Sequence, residues 1–192
     1  MKQLLSSQPE QILKLKGPTV VIVDWANVHG WEEKLRWEID LKKLYRYLKS
    51  YPQIQEFRFY FGTDAHPASK QQLKQAQEIG FKVITKTVKY LPIKDKNIVI
   101  WKRKCDFDLE IGLDCFEMLE KFAGFIFFSG DGDFAALYRR LVKRKKQVIV
   151  VATKWSLGKE ITQIKRGVYI LRVNKLKSFI KKSPRLKNRG CD

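Results

Sequence analysis

The runs "TVVIV" (residues 19–23), "GFIFFS" (124–129) and "QVIVVAT" (147–153) are apolar stretches rich in β-branched and aromatic residues, without polar alternation. A strand reads this way when both its faces are covered, as in a parallel sheet held between two helix layers. Segments with a helical period separate these runs. Asp40 stands where an N-cap belongs, and Leu41, Leu44, Tyr45 and Leu48 follow at i, i+3, i+4 and i+7, predicting a helix that ends near Tyr51-Pro52. "EFRFYFG" predicts a second strand, Pro67 the first turn of a helix over residues 67–79, and Gly80 its stop before a third strand, "FKVIT".

Helices are predicted over residues 107–122 and 133–145, on either side of "GFIFFS", and from Ser156 onward a short helix, the strand "VYILRV" and a last basic helix. Such alternation dictates an α/β fold: a Rossmann-like three-layer sandwich with a mostly parallel central sheet and helices on both faces. Two segments fall outside the alternation. "KTVKYLPI" and "IVIWKRK" flank the polar "KDKN" and predict a hairpin excursion or a long loop, and the Trp-rich stretch after Asp24 reads as a connection.

At 192 residues the chain suits one domain with a sizeable core. The domain is expected over residues 18–183, between an N-terminal extension, 1–17, and a basic tail, 184–192. Lysine and arginine number 39 against 20 acids, a net charge of +19, which a solvated surface alone does not require. An anionic partner is implied, and nucleic acid comes first because regularly spaced phosphates reward distributed Lys and Arg through counterion release. The three cysteines, Cys105, Cys115 and Cys191, have no C-x-x-C spacing, so neither a disulfide framework nor a zinc knuckle is indicated and a reducing compartment fits. With no signal-peptide run and no apolar stretch of membrane-spanning length, a cytoplasmic protein without membrane contact is expected.

The scarce acids gather at strand ends. In an open doubly wound sheet, sites form outside the carboxyl ends of the strands, where the strand order reverses. Asp24 ends the first strand, and Asp131 and Asp133 follow the fourth; the common order 3-2-1-4-5 would bring all three to one crevice. "CDFDLEIGLD" opens a helix toward the same region with Asp106, Asp108, Glu110 and Asp114, of which Glu110 and Asp114 share a face. Carboxylates this close raise one another's pKa unless a cation neutralises them, and oxygen-only ligands suit Mg²⁺ or Mn²⁺. Each acid also has a plain structural reading: Asp131 as a helix cap, Asp108 as a helix N-terminal charge, Asp24 as a turn residue.

"GDGDFA" matches G-x-G-x-x-A after a strand, but its aspartates would repel a pyrophosphate and no ribose-binding acid follows about twenty residues later. There is no Walker A loop. His29 and His66 make no H-E-x-x-H site, and His66, before Pro67, reads as a helix-entry residue.

"VIVDWANV", "KCDFDLEIGLD" and "SGDGDFAAL" together resemble the NYN family, the LabA-like branch of the PIN-like ribonucleases, with "WSLGKEI" and "VYILRV" extending the resemblance over residues 18–180. The resemblance implies a PIN-like fold and a metal-dependent nuclease, usually acting on RNA, although some relatives bind without cutting. By that likeness Asp24, Asp108, Asp131 and Asp133 are the metal ligands, Glu110 and Asp114 auxiliary acids, and Asn27 the residue that orients a metal-bound water or the scissile phosphate. Ser129 is carried over as a contact to that water or phosphate, with ordinary turn hydrogen bonding as its alternative. The sequence departs from the family pattern at Trp25, where a small residue is usual, and in the insert from Trp31 to Trp37.

Basic residues supply a track for the polyanion. Lys86, Lys89, Lys102, Arg103 and Lys104 are interleaved with Tyr90 and Trp101, and Arg139 and Arg140 lie in "YRRLVKRKK". Backbone clamping with base stacking is the functional reading; a solvated hairpin with Trp101 in the core is the plainer one, and the one favoured for Trp101. The expected function is a Mg²⁺- or Mn²⁺-dependent endoribonuclease that hydrolyses RNA phosphodiester bonds with a metal-activated water. A non-catalytic binding module of the same fold and a DNA nickase or flap-type nuclease are the alternatives. The expected partner is single-stranded or structured RNA, with a homodimer compatible.

Overall fold

The computed structural model describes residues 11–95 and 98–183. The chain enters at β1 (Thr19–Asp24) and passes through two short helices, α1 (Trp25–His29) and α2 (Glu32–Leu35), to α3 (Leu41–Lys49). Next come β2 (Ile54–Thr63), α4 (Pro67–Ile79) and β3 (Lys82–Thr87), then the strands β4 (Lys89–Asp95) and β5 (Ile98–Lys104). The second half runs α5 (Asp108–Glu117), β6 (Gly124–Phe128), a 3₁₀ turn (Gly132–Phe134), α6 (Ala135–Lys143), β7 (Gln147–Ala152), α7 (Lys159–Thr162) and β8 (Val168–Arg172). A 3₁₀ turn (Val173–Leu176) and α8 (Lys177–Ile180) follow.

Six strands form one sheet in the order β3-β2-β1-β6-β7-β8, all paired in parallel. Counted within that sheet alone, this is the expected order 3-2-1-4-5 with a sixth strand added. The chain winds outward in one direction from β1 and in the other from β6, so the switch point lies between them. Val23 pairs with Phe128, so Asp24 and Ser129 leave the sheet side by side.

Side-chain alternation along β2 shows that both faces are covered. Phe57 packs on Tyr45 of α3 and Phe59 on Trp25, whereas Tyr60 packs on Phe107 and reaches Asp114 of α5. On β6, Phe127 lies 4.7 Å, ring to ring, from Tyr138 of α6. The three-layer α/β sandwich is therefore as read from the apolar runs.

Local signals act where expected. Asp40 caps α3 by accepting from Lys43 N at 3.0 Å, Pro67 stands in the first turn of α4 and Gly80 ends it, and His66 caps that helix through Nδ1. Three boundaries differ from expectation. The regular part of α5 stops at Glu117 because the chain must turn through Met118–Phe122, with Lys121 N bonded to Met118 O, to enter β6. The next helix opens with a 3₁₀ turn, and its regular part is Ala135–Lys143. The stretch after Asp24 is not a plain connection, because buried Trp25, Trp31 and Trp37 pin it as two short helices.

β4 and β5 form a separate antiparallel hairpin, the first of the two forms expected, and among the described residues they pair only with each other. Lys89, Leu91 and Ile93 share one face with Lys104, Lys102 and Ile100; Tyr90 and Pro92 share the other with Arg103 and Trp101. Trp101 is 62% exposed, which corrects the expectation of a core residue: a two-stranded hairpin outside the sheet has no second layer to bury it.

Candidate functional site

The site begins with β1, whose buried β-branched residues deliver Asp24 to the switch point. Asp24 caps α1: one carboxylate oxygen accepts from Asn27 N at 3.4 Å and the other from Ser129 Oγ at 3.1 Å. The buried Ser129 hydroxyl also accepts from Asp131 N at 3.3 Å, so it ties the end of β6 to Asp24. Asp131 in turn caps the 3₁₀ turn, its Oδ1 accepting from Asp133 N at 3.0 Å. The plain capping reading of Asp131 holds in this structure, Asp24, read plainly as a turn residue, is a helix cap instead, and each carboxylate keeps further lone pairs.

Asn27 is committed more deeply than the sequence suggests. Its Oδ1 accepts from Trp31 Nε1 at 2.9 Å and from Gly130 N at 3.0 Å. The tryptophan of the insert therefore fixes the amide, leaving the Asn27 NH₂, which has no hydrogen-bond partner among the described residues, as the group able to donate to a ligand. Gly130 itself must be glycine, since a Cβ there would lie 2.2 Å from Ser156 O. Gly158 N donates to Gly130 O at 2.8 Å, so the "WSLGKE" loop seals the acidic loop from behind.

The acids on α5 divide into two groups. Asp108 is exposed at the helix start. Asp114 instead accepts from Tyr60 OH and pairs with Arg58, each at 2.5 Å, and Arg58 also holds Glu56 at 2.6 Å. Arg58 is a buried cation that sequence reading missed; a lone arginine inside an otherwise apolar strand was the available signal. Glu110 pairs through Oε1 with Lys86 at 2.7 Å, while its Oε2 is shielded from solvent without a hydrogen-bond partner among the described residues.

Electrostatics tie the acids together. Burial above all, then the charges of Asp131 and Asp108, push the Asp24 carboxyl up to about 6, against the lowering effect of its hydrogen bonds to Asn27 and Ser129. Partial burial raises Asp108, and the charges of Asp131, Asp106, Asp133 and Glu110 add to it. Glu110 is lowered by its Lys86 partner. Among the described residues no three His, Cys, Asp or Glu side chains converge closely enough to hold a metal as they stand. The donor set is nonetheless suited to a hard divalent cation, being all oxygen and mutually repelling, so that a cation would relieve the charges that add to burial in raising Asp24 and Asp108.

The basic residues lie on several faces. Lys86 sits beside α5 through Glu110, and Lys89, Lys102 and Lys104 line one hairpin face. Arg103 lies on the opposite face and bridges to Asp64 at 2.8 Å. Arg139 and Arg140 are exposed on α6, Arg139 reaching Glu160 O at 3.4 Å.

The NYN domain model matches residues 18–166. This chain belongs to the NYN domain family. The family includes metal-dependent ribonucleases, and its domains act on nucleic acids. This NYN domain is 26% identical over 167 residues to the low amplitude and bright protein LabA of Synechococcus elongatus, across 86% of this chain and 88% of that one. It also shares its fold with a protein of unknown function from Vibrio parahaemolyticus, at a TM-score of 0.65 and 21% identity, over 88% of this chain and 99% of the other. Among the described residues no helix of this NYN domain is long and apolar enough to cross a membrane.

Proposed function

We propose that this protein is a Mg²⁺- or Mn²⁺-dependent endoribonuclease that hydrolyses RNA phosphodiester bonds. The observation that carries the reading is Asp24, a carboxylate delivered to the switch point and raised by burial and by the charges of Asp131 and Asp108. Asp24, Asp108, Asp131 and Asp133 would hold the cation. When bound, it supplies Lewis acidity toward a phosphoryl oxygen and a water made acidic enough to attack near neutral pH. Ser129 orients Asp24, and the Asn27 NH₂, locked by Trp31 and Gly130, donates to a phosphate oxygen. Glu110 and Asp114 act at a remove: one steadies Lys86, the other is held by Arg58 and Tyr60. Exposed lysines and arginines gather the strand through its phosphates.

The test is cleavage of labelled RNA and DNA of the same sequence with Mn²⁺, Mg²⁺ or chelator. We expect RNA to be cut with metal only, and Asp24→Asn to cut at least about a hundredfold more slowly while binding RNA as well as the wild type. Equal rates for Asp24→Asn and wild type would place the chemistry elsewhere, and preferred DNA cutting would make the protein a deoxyribonuclease. A second reading, capture of RNA without cleavage, is favoured by the absence of three converged acids among the described residues. A wild type that binds RNA and leaves it intact under every divalent metal would establish it.

A further inference from the structure

On the β2 side of Asp24, away from Ser129, lies a cleft of about 560 Å³, large enough for a nucleoside. It is lined by Trp25 and His29 of α1, whose rings stack at 5.9 Å and 20°, by Phe61 of β2, and by Tyr90 and Arg103 of the hairpin. Tyr90 is 47% exposed, yet its hydroxyl is anchored, donating to Asp64 Oδ2 at 3.0 Å. Arg103 reaches the same oxygen at 2.8 Å, and His66 N donates to the other at 3.0 Å. Asp64 is thus a positioning residue with its charge answered, and it sets a flat ring and a guanidinium side by side.

The hairpin is seated against the cleft by construction. A Cβ on Gly62 would lie 2.9 Å from Cys105 Sγ and 3.0 Å from Val88 Cγ2, so only glycine lets the hairpin root close on β2. Val88 N donates to Thr63 O at 2.9 Å at the same place. Beyond Tyr90 and Arg103, the same hairpin face carries the exposed Trp101, while the opposite face carries Lys89, Lys102 and Lys104. One face offers flat rings and the other offers cations.

We propose that this cleft binds one unpaired nucleobase of an RNA strand, next to the phosphate that lies at the carboxylates, with Tyr90 as its stacking platform and Trp101 receiving a base further along. The chemistry fits a base better than a sugar or a phosphate: aromatic and apolar surfaces dominate, the guanidinium stacks on flat rings, and the acid present is already paired. His66 Nδ1 accepts from Ala68 N at 3.2 Å, so the neutral imidazole carries its proton on Nε2, a donor for a base edge. The inference deepens the ribonuclease reading and rests on the strand being held there, not on its being cut.

The test is an abasic scan. Single abasic nucleotides are placed successively along a short RNA, and binding to the full chain is measured in chelator, so that no cleavage intervenes. We expect a position at which the lost base weakens wild-type binding about tenfold, a penalty that falls to about twofold or less in Tyr90→Ala, while the position stacked on Trp101 keeps its penalty in that variant. Tyr90→Phe, which keeps the ring and loses the bond to Asp64, should retain most of the penalty, and both variants should melt as the wild type does. A scan with no sensitive position, or with none whose penalty falls in Tyr90→Ala, would overturn the proposal while leaving RNA binding intact. A free nucleoside monophosphate that binds as tightly as the strand would also overturn it, in favour of a free-nucleotide site. A wild type that binds no RNA would remove the nuclease reading and this one together.

Discussion

At the scale of the residue, Asp24 is where burial and function pull against each other. An unfolded chain ionises this carboxyl near its ordinary value of 3.8, whereas the folded chain holds its proton up to about 6. The penalty is absent below the lower value, grows between the two, and is full above the upper one. Metal-free protein should therefore lose about 3 kcal/mol of stability through this group between pH 4 and pH 6. Glu56, Asp64 and Glu110 are lowered and act with the opposite sign, so the whole curve is mixed. The difference between wild type and Asp24→Asn, followed by urea unfolding in chelator, isolates the one group. We expect the variant to gain on the wild type as pH rises through this window; parallel curves would mean that Asp24 ionises freely. Much of this residue's setting was legible: an apolar run ending in an acid places that acid at a strand's carboxyl end. The commitment of Asn27 was not, because a bond from Trp31 depends on how two short helices fold back, which no period in the sequence encodes. Arg58 escaped for the same reason, its partners Glu56 and Asp114 coming from a neighbouring position and a distant helix.

At the scale of the element, the hairpin separates two kinds of binding that the sequence ran together. "WKRK" reads as one basic cluster, but strand alternation sends Lys102 and Lys104 to one face and Arg103, with Trp101, to the other. The presence of the hairpin was legible from two apolar runs around "KDKN". The exposure of Trp101 was not, because whether a hairpin joins the sheet is decided by tertiary packing. The split has a measurable consequence. Changing Lys89, Lys102 and Lys104 to Glu should weaken binding to single strands of any sequence and flatten the salt dependence, by roughly 0.7 log units for each phosphate that is no longer neutralised. Trp101→Ala should weaken binding at every salt concentration and leave the slope unchanged, since stacking releases no counterions. Salt titrations of both variants against one RNA check this. A changed slope for Trp101→Ala, or an unchanged one for the triple variant, would mean that the two faces do not divide the work.

At the scale of the whole molecule, a chain of net charge +19 keeps its carboxylates of unlike origin, from β1, from the loop after β6 and from the start of α5, near one switch point. The fold makes this inevitable once the strand order is set: parallel strands present all their carboxyl ends on one side, and β1 and β6 are neighbours there. Such an arrangement is destabilised by its own charge and relieved by whatever cation enters, so affinity for metal and stability of the fold are linked. Mn²⁺ should therefore raise the melting temperature of the wild type. Asp131→Asn combined with Asp133→Asn should raise the metal-free melting temperature, because two repelling charges are gone, and should remove the response to Mn²⁺. The combination matters, because each half has a different origin: capping by Asp131 can be kept by asparagine, whose carbonyl oxygen still accepts from the backbone of residue 133, so the fold is spared while the charge is removed. Thermal melts of the two proteins with and without Mn²⁺ check the linkage. An equal rise in both would place the cation away from this loop, and a double variant less stable than the metal-free wild type would mean that these carboxylates serve the fold before they serve any metal.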